Sequence, residues 1–262
     1  MSEYTGLVLP SIGYRPIPSD ALINRWERRR SGIIVPRHDI IVPVRRAAAA
    51  ILFTDVTNAR TDLSDATSFG GNSIPVGATL IIGLVATSGI GTFAASDTLN
   101  GAWAHVRAYV QAGGEAIDVF AFRGSAAGTL TANLTLTGSA SYYATWLVVT
   151  GLDISASVLA DSIDEATNTT HVCATTGLTG TGLYLGLASL GTNTDVTVGG
   201  GWATDNNTTG VGVCIERKIE TGTLEKGPYT TSASVVAESN LVFFPETAVD
   251  PRTDGKIIIR GA

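Results

Sequence analysis

The chain has 262 residues, of which 15% are charged, and its formal net charge is −6. Because an average soluble protein carries ~25% charged residues, the low charge and the 44% hydrophobic content argue against intrinsic disorder. The length allows one large all-β domain or two smaller domains.

The charge is divided unevenly between the first 46 residues and the rest of the chain. Residues 1–46 carry eight arginines and four acids, a net charge of +4. The remainder carries nine basic and nineteen acidic residues, a net charge of −10. This asymmetry indicates a basic arm on an acidic body. The arm suits nucleic acid or an acidic protein surface, whereas the charge of the body would repel phosphate.

Residues 1–46 are predicted to form an extended docking arm. They contain five of the nine prolines, which favour extended backbone, with one short helix predicted over residues 19–30. The arm has no lysine, and its arginines alternate with aliphatic residues, as in "SGIIVPRHDIIVPVRR". Arginine suits carboxylate pairing at interfaces, so we expect the body or a neighbouring subunit to hold the arm. The predicted partner-binding residues are Trp26, Arg28, Arg29, Arg30, Arg37, Arg45 and Arg46.

The body, residues 47–246, reads as a series of short strands separated by Gly, Ser and Asn clusters. The spacing predicts an all-β fold, an antiparallel β-sandwich of jelly-roll or Ig-like type with the extended N-terminal arm attached. Apolar runs and period-2 alternation place strands at residues 78–87, 104–112, 115–123, 128–137, 142–151, 169–176, 182–190, 195–204, 210–220, 232–239 and 241–244.

The two halves of the body resemble each other, and the tail contains a possible strand. "ATLIIGLVATSG" is echoed by "TGLYLGLASLG", and each is followed by a Trp element, so residues 47–151 and 169–246 are either duplicated halves or strands alike by chance. The tail, residues 247–262, contains the apolar strand "KIIIR". That strand either closes a sheet of its own body or adds to the edge of a neighbour.

The residues that carry chemistry are sparse. His171, Cys173 and Cys214 offer a three-ligand zinc set, but packed side chains are the favoured interpretation. Asp161, Asp164 and Glu165 lack the spacing of an EF-hand, and no G-x-S-x-G motif occurs. We therefore expect no catalytic residues, no metal and no cofactor.

The cysteines and aromatic residues each leave two interpretations open. Cys173 and Cys214 are expected to be buried thiols, with a bridge between neighbouring strands as the alternative. Six aromatic residues could form a sugar-stacking platform or lie in the core, and the core is the favoured interpretation. They are Trp103, Trp146, Trp202, Tyr109, Tyr142 and Tyr143. No signal peptide and no transmembrane helix are expected.

The extended arm, the low-charge body rich in Gly, Thr, Ala and Val and the lack of a catalytic set together resemble structural proteins of tailed-phage virions. The pattern "GATLIIGLVATSG…YYATWLVVTGLD" also resembles a β-sandwich module of phage and bacterial surface proteins. The likeness covers about residues 70–245. It implies a capsid decoration (cement) or minor head protein on the outer surface of the capsid, whose arm clamps the major capsid protein or other virion subunits. The same module on fibres would imply binding of a glycan or host receptor. We further expect a homo-oligomer, guessed as a trimer, with no direct contact to nucleic acid or membrane.

Overall fold

The computed structural model describes residues 40–43, 50–110, 115–160, 164–173, 178–190, 195–208, 212–222, 224–247 and 256–259. The chain divides into two compact units, one comprising Ala47–Val249 and the other Met1–Arg46 with Asp250–Ala262. The predicted helix over residues 19–30 lies outside the described residues.

The larger unit is built from strands, and no helix occurs among the residues described. Its strands are β2 (Leu52–Ile74), β3 (Thr79–Asp97), β4 (Gly101–Ala102), β5 (Ala104–Val110), β6 (Ala116–Arg123), β7 (Gly128–Thr150), β8 (Leu159–Ala160), β9 (Asp164–Val172), β10 (Leu178–Thr179), β11 (Gly182–Leu190), β12 (Val196–Val198), β13 (Ala203–Thr208), β14 (Val213–Glu220), β15 (Leu224–Glu225) and β16 (Pro228–Pro245). The smaller unit contains β1 (Ile40–Pro43) and β17 (Lys256–Ile259).

Two antiparallel sheets form the body and confirm the predicted all-β sandwich. The first sheet has the order β2-β7-β3-β6-β5, with β4 also pairing with β3. The second has the order β12-β16-β11-β14-β13, with β8 and β9 also pairing with β16. β10 and β15 make a separate pair.

Period-2 alternation explains which face each strand buries. On β6, Ile117 and Val119 belong to the core between the sheets, together with Leu185 and Ile215 of the second sheet. Phe120, the next residue along β6, packs into a different cluster on the other face of the first sheet. Burial on both faces makes β6 and β11 almost continuously apolar, as expected of strands inside a multilayer core.

A third layer arises because the long strands of the first sheet fold over its outer face. Phe69 pairs with Ala132 near the start of β7, yet its ring lies 6.1 Å from that of Trp146, near the end of the same strand. Phe93 likewise lies 5.1 Å from Tyr142. The sequence predicts two separate strands at 128–137 and 142–151, whereas the structure has one bent strand, β7. The sequence pattern also does not predict β2.

The second sheet repeats the strand order of the first. β9-β16-β11-β14-β13 corresponds to β2-β7-β3-β6-β5, with every neighbouring pair antiparallel in both. Trp103 directly precedes β5, and Trp202 directly precedes β13. Duplication of one ancestral half stays a prediction, and this shared order is the pattern that duplication would produce.

Close approach of the two sheets depends on a glycine at their centre. A Cβ atom at Gly83 would lie 3.1 Å from Cδ2 of Leu185 and 3.2 Å from Cδ2 of Leu187. The absence of a side chain on β3 therefore lets two leucines of β11 occupy that space.

Candidate functional site

The predicted partner-binding residues Trp26, Arg28, Arg29, Arg30, Arg37, Arg45 and Arg46 all lie outside the described residues. Strand β1 lies between Arg37 and Arg45 in the sequence and pairs antiparallel with β17. Ile40 lies opposite Ile259, and Val42 lies opposite Ile257. The sequence predicts that the "KIIIR" strand joins a sheet of its body or of a neighbour. It pairs instead with the arm of its own chain, because both segments are short aliphatic strands of matching length.

This pair, which we call the terminal ribbon, joins a segment of the predicted arm to a segment of the tail. It contains three aliphatic residues in each strand, with Pro43 opposite Lys256 at one end. An isolated two-stranded ribbon is at best marginally stable in water, since it has too little apolar surface to bury.

The acidic surface of the body is smaller than the sequence indicates. In the described part of the body, six acids are buried: Asp97, Asp118, Asp205, Glu216, Glu225 and Glu238. Some of these acids form ion pairs within the body: Asp205 pairs with Arg217, and Glu225 pairs with Lys218. Asp195 is an exposed acid. The net charge of −10 counted over residues 47–262 thus overstates what the surface offers to a basic arm.

One end of the sandwich exposes apolar side chains on a set of interlocked turns. We call it the loop end; it comprises residues 75–77, 97–100, 124–128 and 153–157. Val76, Leu99 and Ile154 are 77%, 39% and 49% exposed there. The other three turns all meet the 124–128 connection: Gly77 N donates to Ser125 O at 2.8 Å, while Leu99 and Ile154 lie beside Gly128 and Gly124.

Asp97 organises the loop end. Its Oδ1 accepts from the backbone N–H groups of Leu99 and Asn100, and its Oδ2 accepts from Trp103 Nε1 at 2.7 Å. Burial alone would raise the pKa of Asp97, but these hydrogen bonds outweigh it and lower the pKa. Asn100 Nδ2 then donates to Ser125 Oγ at 2.9 Å, tying two turns together. Sequence reasoning missed this network, although "DTLNG" carries the Asp and Asn of a side-chain-stabilised turn.

The two cysteines are buried free thiols, which confirms the favoured interpretation. Cys173 Sγ donates to Glu216 Oε1 at 3.4 Å, and both groups fit beside Gly186 and Gly227. Burial raises the pKa of both thiols well above the ordinary value, with the Glu216 charge adding to the effect. Neither thiol is therefore activated for nucleophilic attack at neutral pH.

Glu216 lies in the same buried environment as the two thiols, and burial alters its protonation state. Burial raises its pKa to about 8, with the nearby Glu225 charge adding and the Cys173 hydrogen bond opposing. The carboxyl group is consequently protonated and neutral at pH 7.

The described residues do not place His171, Cys173 and Cys214 in a zinc-binding arrangement. No group of three or more His, Cys, Asp or Glu side chains is arranged there to hold a metal ion. His171 stacks on Tyr229 with ring centroids 5.1 Å apart, and its Nε2 lies 3.4 Å from Thr231 Oγ1. It is a packed core residue.

The outer strands of both sheets are joined to their neighbours by polar side-chain contacts. In the first sheet His105 Nε2 on β5 lies 2.6 Å from Asp118 Oδ1 on β6, with the His105 ring stacked on Phe120. Burial raises the pKa of Asp118, and the His105 charge opposes that rise. In the second sheet Asp205 on β13 pairs with Arg217 on β14.

Five of the six aromatic residues that could form a sugar-stacking platform are buried in the core, and the sixth, Tyr109, is half-buried. Trp146 and Tyr142 are fully buried, and Trp103 and Trp202 are 8% and 7% exposed. Trp103 stacks on Trp146 at 5.5 Å, inside the third layer.

Among the described residues, no helix has the length and apolarity to cross a bilayer. Comparison of the chain with protein-family models, with curated proteins and with solved structures finds no match.

Proposed function

We propose that the chain is a non-enzymatic structural protein of a multi-subunit particle, in which the terminal segments dock on neighbouring subunits. The more specific proposal, a capsid decoration (cement) or minor head protein on the outer surface of a tailed-phage virion, rests on the resemblance described above. Its partners would be the major capsid protein or other virion subunits, and further copies of itself in an oligomer.

The observation that carries this proposal is the terminal ribbon. A segment of the predicted arm and a segment of the tail pair with each other, and both fall in the unit other than Ala47–Val249. Such a ribbon gains stability when it adds to or packs against another sheet. Arginines flank it, with Arg37 before β1 and Arg45 and Arg46 after β1, so docking would combine apolar burial with pairing to carboxylates.

The alternative, a fibre or adhesin module that binds a glycan or host receptor, has less support from the aromatic residues. The tryptophans on which it depended are buried in the described part of the body. Docking of the termini is therefore the better supported function.

Substitution of the arginines in the full-length protein tests the proposal. Arg37, Arg45 and Arg46 are replaced together by Gln, and binding to virion particles that lack the protein is measured by co-sedimentation. We expect at least a tenfold loss of affinity, with partial recovery when the same positions carry Lys, since Lys keeps the charge without the bidentate fork. Unchanged binding of the Gln variant would contradict the proposal.

A matched control replaces Arg107 and Arg123 of the body by Gln. These changes remove positive charge from the sandwich, and particle binding should be retained.

A further inference from the structure

A short segment, residues 225–227, covers the buried carboxyl group of Glu216 and the thiol of Cys173. A Cβ atom at Gly227 would lie 2.7 Å from Cys173 Sγ and 3.1 Å from Glu216 Oε1. The backbone of β11 approaches as closely, since a Cβ atom at Gly186 would lie 2.7 Å from the same sulfur and 3.1 Å from the same oxygen. The carboxyl and thiol groups are therefore packed against β11 and against this segment, which we call the lid.

The lid is attached to the body by local bonds in the described part of the chain. It begins in β15, which pairs with β10 and not with the two large sheets. Cys173 N donates to Lys226 O at 2.8 Å and to Gly227 O at 3.1 Å. Lys218 Nζ on β14 donates to Glu225 Oε1 at 2.9 Å. A segment outside the main sheets opens at a lower free energy than a central strand does.

The site under the lid does not suit an ionised carboxylate. The Glu216 side chain is fully buried, and its Oε1 accepts from the Cys173 thiol, a weak donor, at 3.4 Å. Its Oε2 has no hydrogen-bond partner among the described residues. Because a buried charge is costly unless it is paired and hydrogen-bonded, the closed site favours the neutral carboxyl group.

The ionisable groups around Glu216 do not supply a compensating positive charge. In the described part of the chain they come from four elements: Cys173 after β9, Cys214 on β14, Glu225 on β15 and Tyr229 on β16. Burial raises the pKa of Glu216 to about 8, and the charge of Glu225 adds to this rise. Lys218 forms ion pairs with Glu225 and Glu220. Ionised Glu216 would thus lie near a second carboxylate.

We propose that residues 225–227 act as a pH-sensitive lid, which opens when Glu216 ionises and exposes the Cys173 thiol to solvent. Opening lets water hydrate the new carboxylate and separates it from Glu225. Gly227, at the end of the lid, has a φ of 55°, a conformation that glycine adopts without steric cost. This inference does not depend on docking by the termini.

Proton release couples the lid to pH. The closed form holds a proton on Glu216, whereas the hydrated carboxyl group of the open form has the ordinary pKa of 4.5. Between 4.5 and the closed-state pKa of about 8, the open population therefore rises about tenfold per pH unit. Above this range Glu216 is ionised in both forms, so the population levels off.

Alkylation of the full-length protein by iodoacetamide tests the proposal, with mass spectrometry to quantify each cysteine. A thiol reacts faster at higher pH in any variant, so the wild-type protein is compared with Glu216→Gln, whose amide cannot ionise. The ratio of their Cys173 rates should rise about 100-fold from about pH 5.5 to about pH 7.5. Glu246→Gln, the matched control at a half-exposed carboxyl group, should follow the wild type. A ratio that stays constant would overturn the proposal.

Cys214 separates opening of the lid from unfolding of the whole body. Ionisation of Glu216 also favours global unfolding, which exposes both thiols. Cys214 lies within β14, which pairs with β11 and β13 on its two sides. Opening of the lid predicts that Cys173 reacts at least about tenfold faster than Cys214 at about pH 7.5. Equal rates would assign the exposure to global unfolding and overturn the proposal.

Hydrogen exchange detects the same opening without a substitution. The amide of Cys173 donates to the lid, whereas the amide of Leu185 belongs to the central strand β11. After correction for the intrinsic pH dependence of exchange, protection of Cys173 should fall about 100-fold from about pH 5.5 to about pH 7.5 and stay below that of Leu185. Protection of Cys173 that does not change with pH would overturn the proposal.

Discussion

At the scale of single residues, Asp97 shows how one buried carboxylate fixes several turns. It accepts hydrogen bonds from Leu99 N, Asn100 N and Trp103 Nε1 while being only 7% exposed. Hydrogen bonds to a charged group are stronger than those between neutral groups, and removing the acceptor leaves the donors unpaired. The loop end therefore depends on this residue more than on any apolar contact at its surface.

We expect Asp97→Ala to lower the free energy of unfolding by about 2–3 kcal/mol, because the donors in the turn lose their acceptor. Asp97→Asn keeps one acceptor oxygen and should have an intermediate effect. Urea denaturation followed by tryptophan fluorescence measures both. The comparison variant is Asp195→Ala at an exposed acid, which should change stability by less than about 0.5 kcal/mol. Equal effects at both positions would contradict the role given to Asp97.

Glu216 predicts a pH dependence of stability whose sign follows from its raised pKa. The ordinary pKa of a glutamate side chain is 4.5, whereas the pKa of Glu216 in the folded protein is about 8. Between these values the folded state binds more protons than the unfolded state, so the free energy of unfolding falls as pH rises. The stabilisation is complete below pH 4.5 and is lost as pH rises through 8.

Glu216→Gln removes this dependence, since the amide stays neutral at every pH. The wild-type protein should lose stability between about pH 5 and 8 relative to this variant, with a slope approaching about 1.4 kcal/mol per pH unit. Denaturation at a series of pH values gives the difference. Glu246→Gln at a half-exposed carboxyl group serves as the control. Parallel curves for wild type and Glu216→Gln would refute the assignment.

At the scale of elements, the sequence predicts well those strands whose residues alternate or form an apolar run. β11 spans Gly182–Leu190, which are the bounds that its apolar run indicates. The expected alternation of Ile117 and Val119 with Phe120 is present, and it places these residues in two different cores. β2 escapes prediction because "LFTDVTNARTDLSDATSFGGNSI" is polar and mixes Asp, Asn and Gly into the strand. Its conformation comes from pairing with β7, which local propensity does not report.

The bend in β7 also lies beyond local reasoning. Gly138, with a φ of 111°, lies between the two predicted strands, where the sequence predicts a turn. The chain stays extended there and changes direction, so that Leu134 and Trp146 share one cluster. For the same reason the third layer could not be predicted from the sequence, since it depends on where the long strands fold back.

The packing of β3 against β11 leads to a prediction for Gly83. Gly83→Leu should lower the free energy of unfolding by about 3 kcal/mol or more, because the side chain would enter space held by Leu185 and Leu187. The control is Gly200→Leu in an exposed turn, where a Cβ atom meets no neighbour within 4 Å. Thermal unfolding followed by circular dichroism compares the two. A Gly83→Leu protein as stable as the control would show that the sheets are not in close contact at this point.

At the scale of the whole molecule, the division into a body and a terminal unit is the feature that bears on function. The body is a sandwich with its own cores, whereas the terminal ribbon has four residues in each strand. We infer that the body, which has its own cores, folds without the termini. The sequence indicates the arm from its arginines and prolines. It does not reveal that the tail pairs with the arm, because the register between distant strands depends on the folded chain.

The most direct test compares the full-length chain with residues 47–249 alone. Both are mixed with virion particles that lack the protein, and bound protein is measured by co-sedimentation and cryo-electron microscopy. Circular dichroism first establishes that the truncated body retains its β-structure. Docking by the termini predicts that the folded body does not bind whereas the full-length chain does. Equal binding of the two proteins would contradict it and assign recognition to the sandwich.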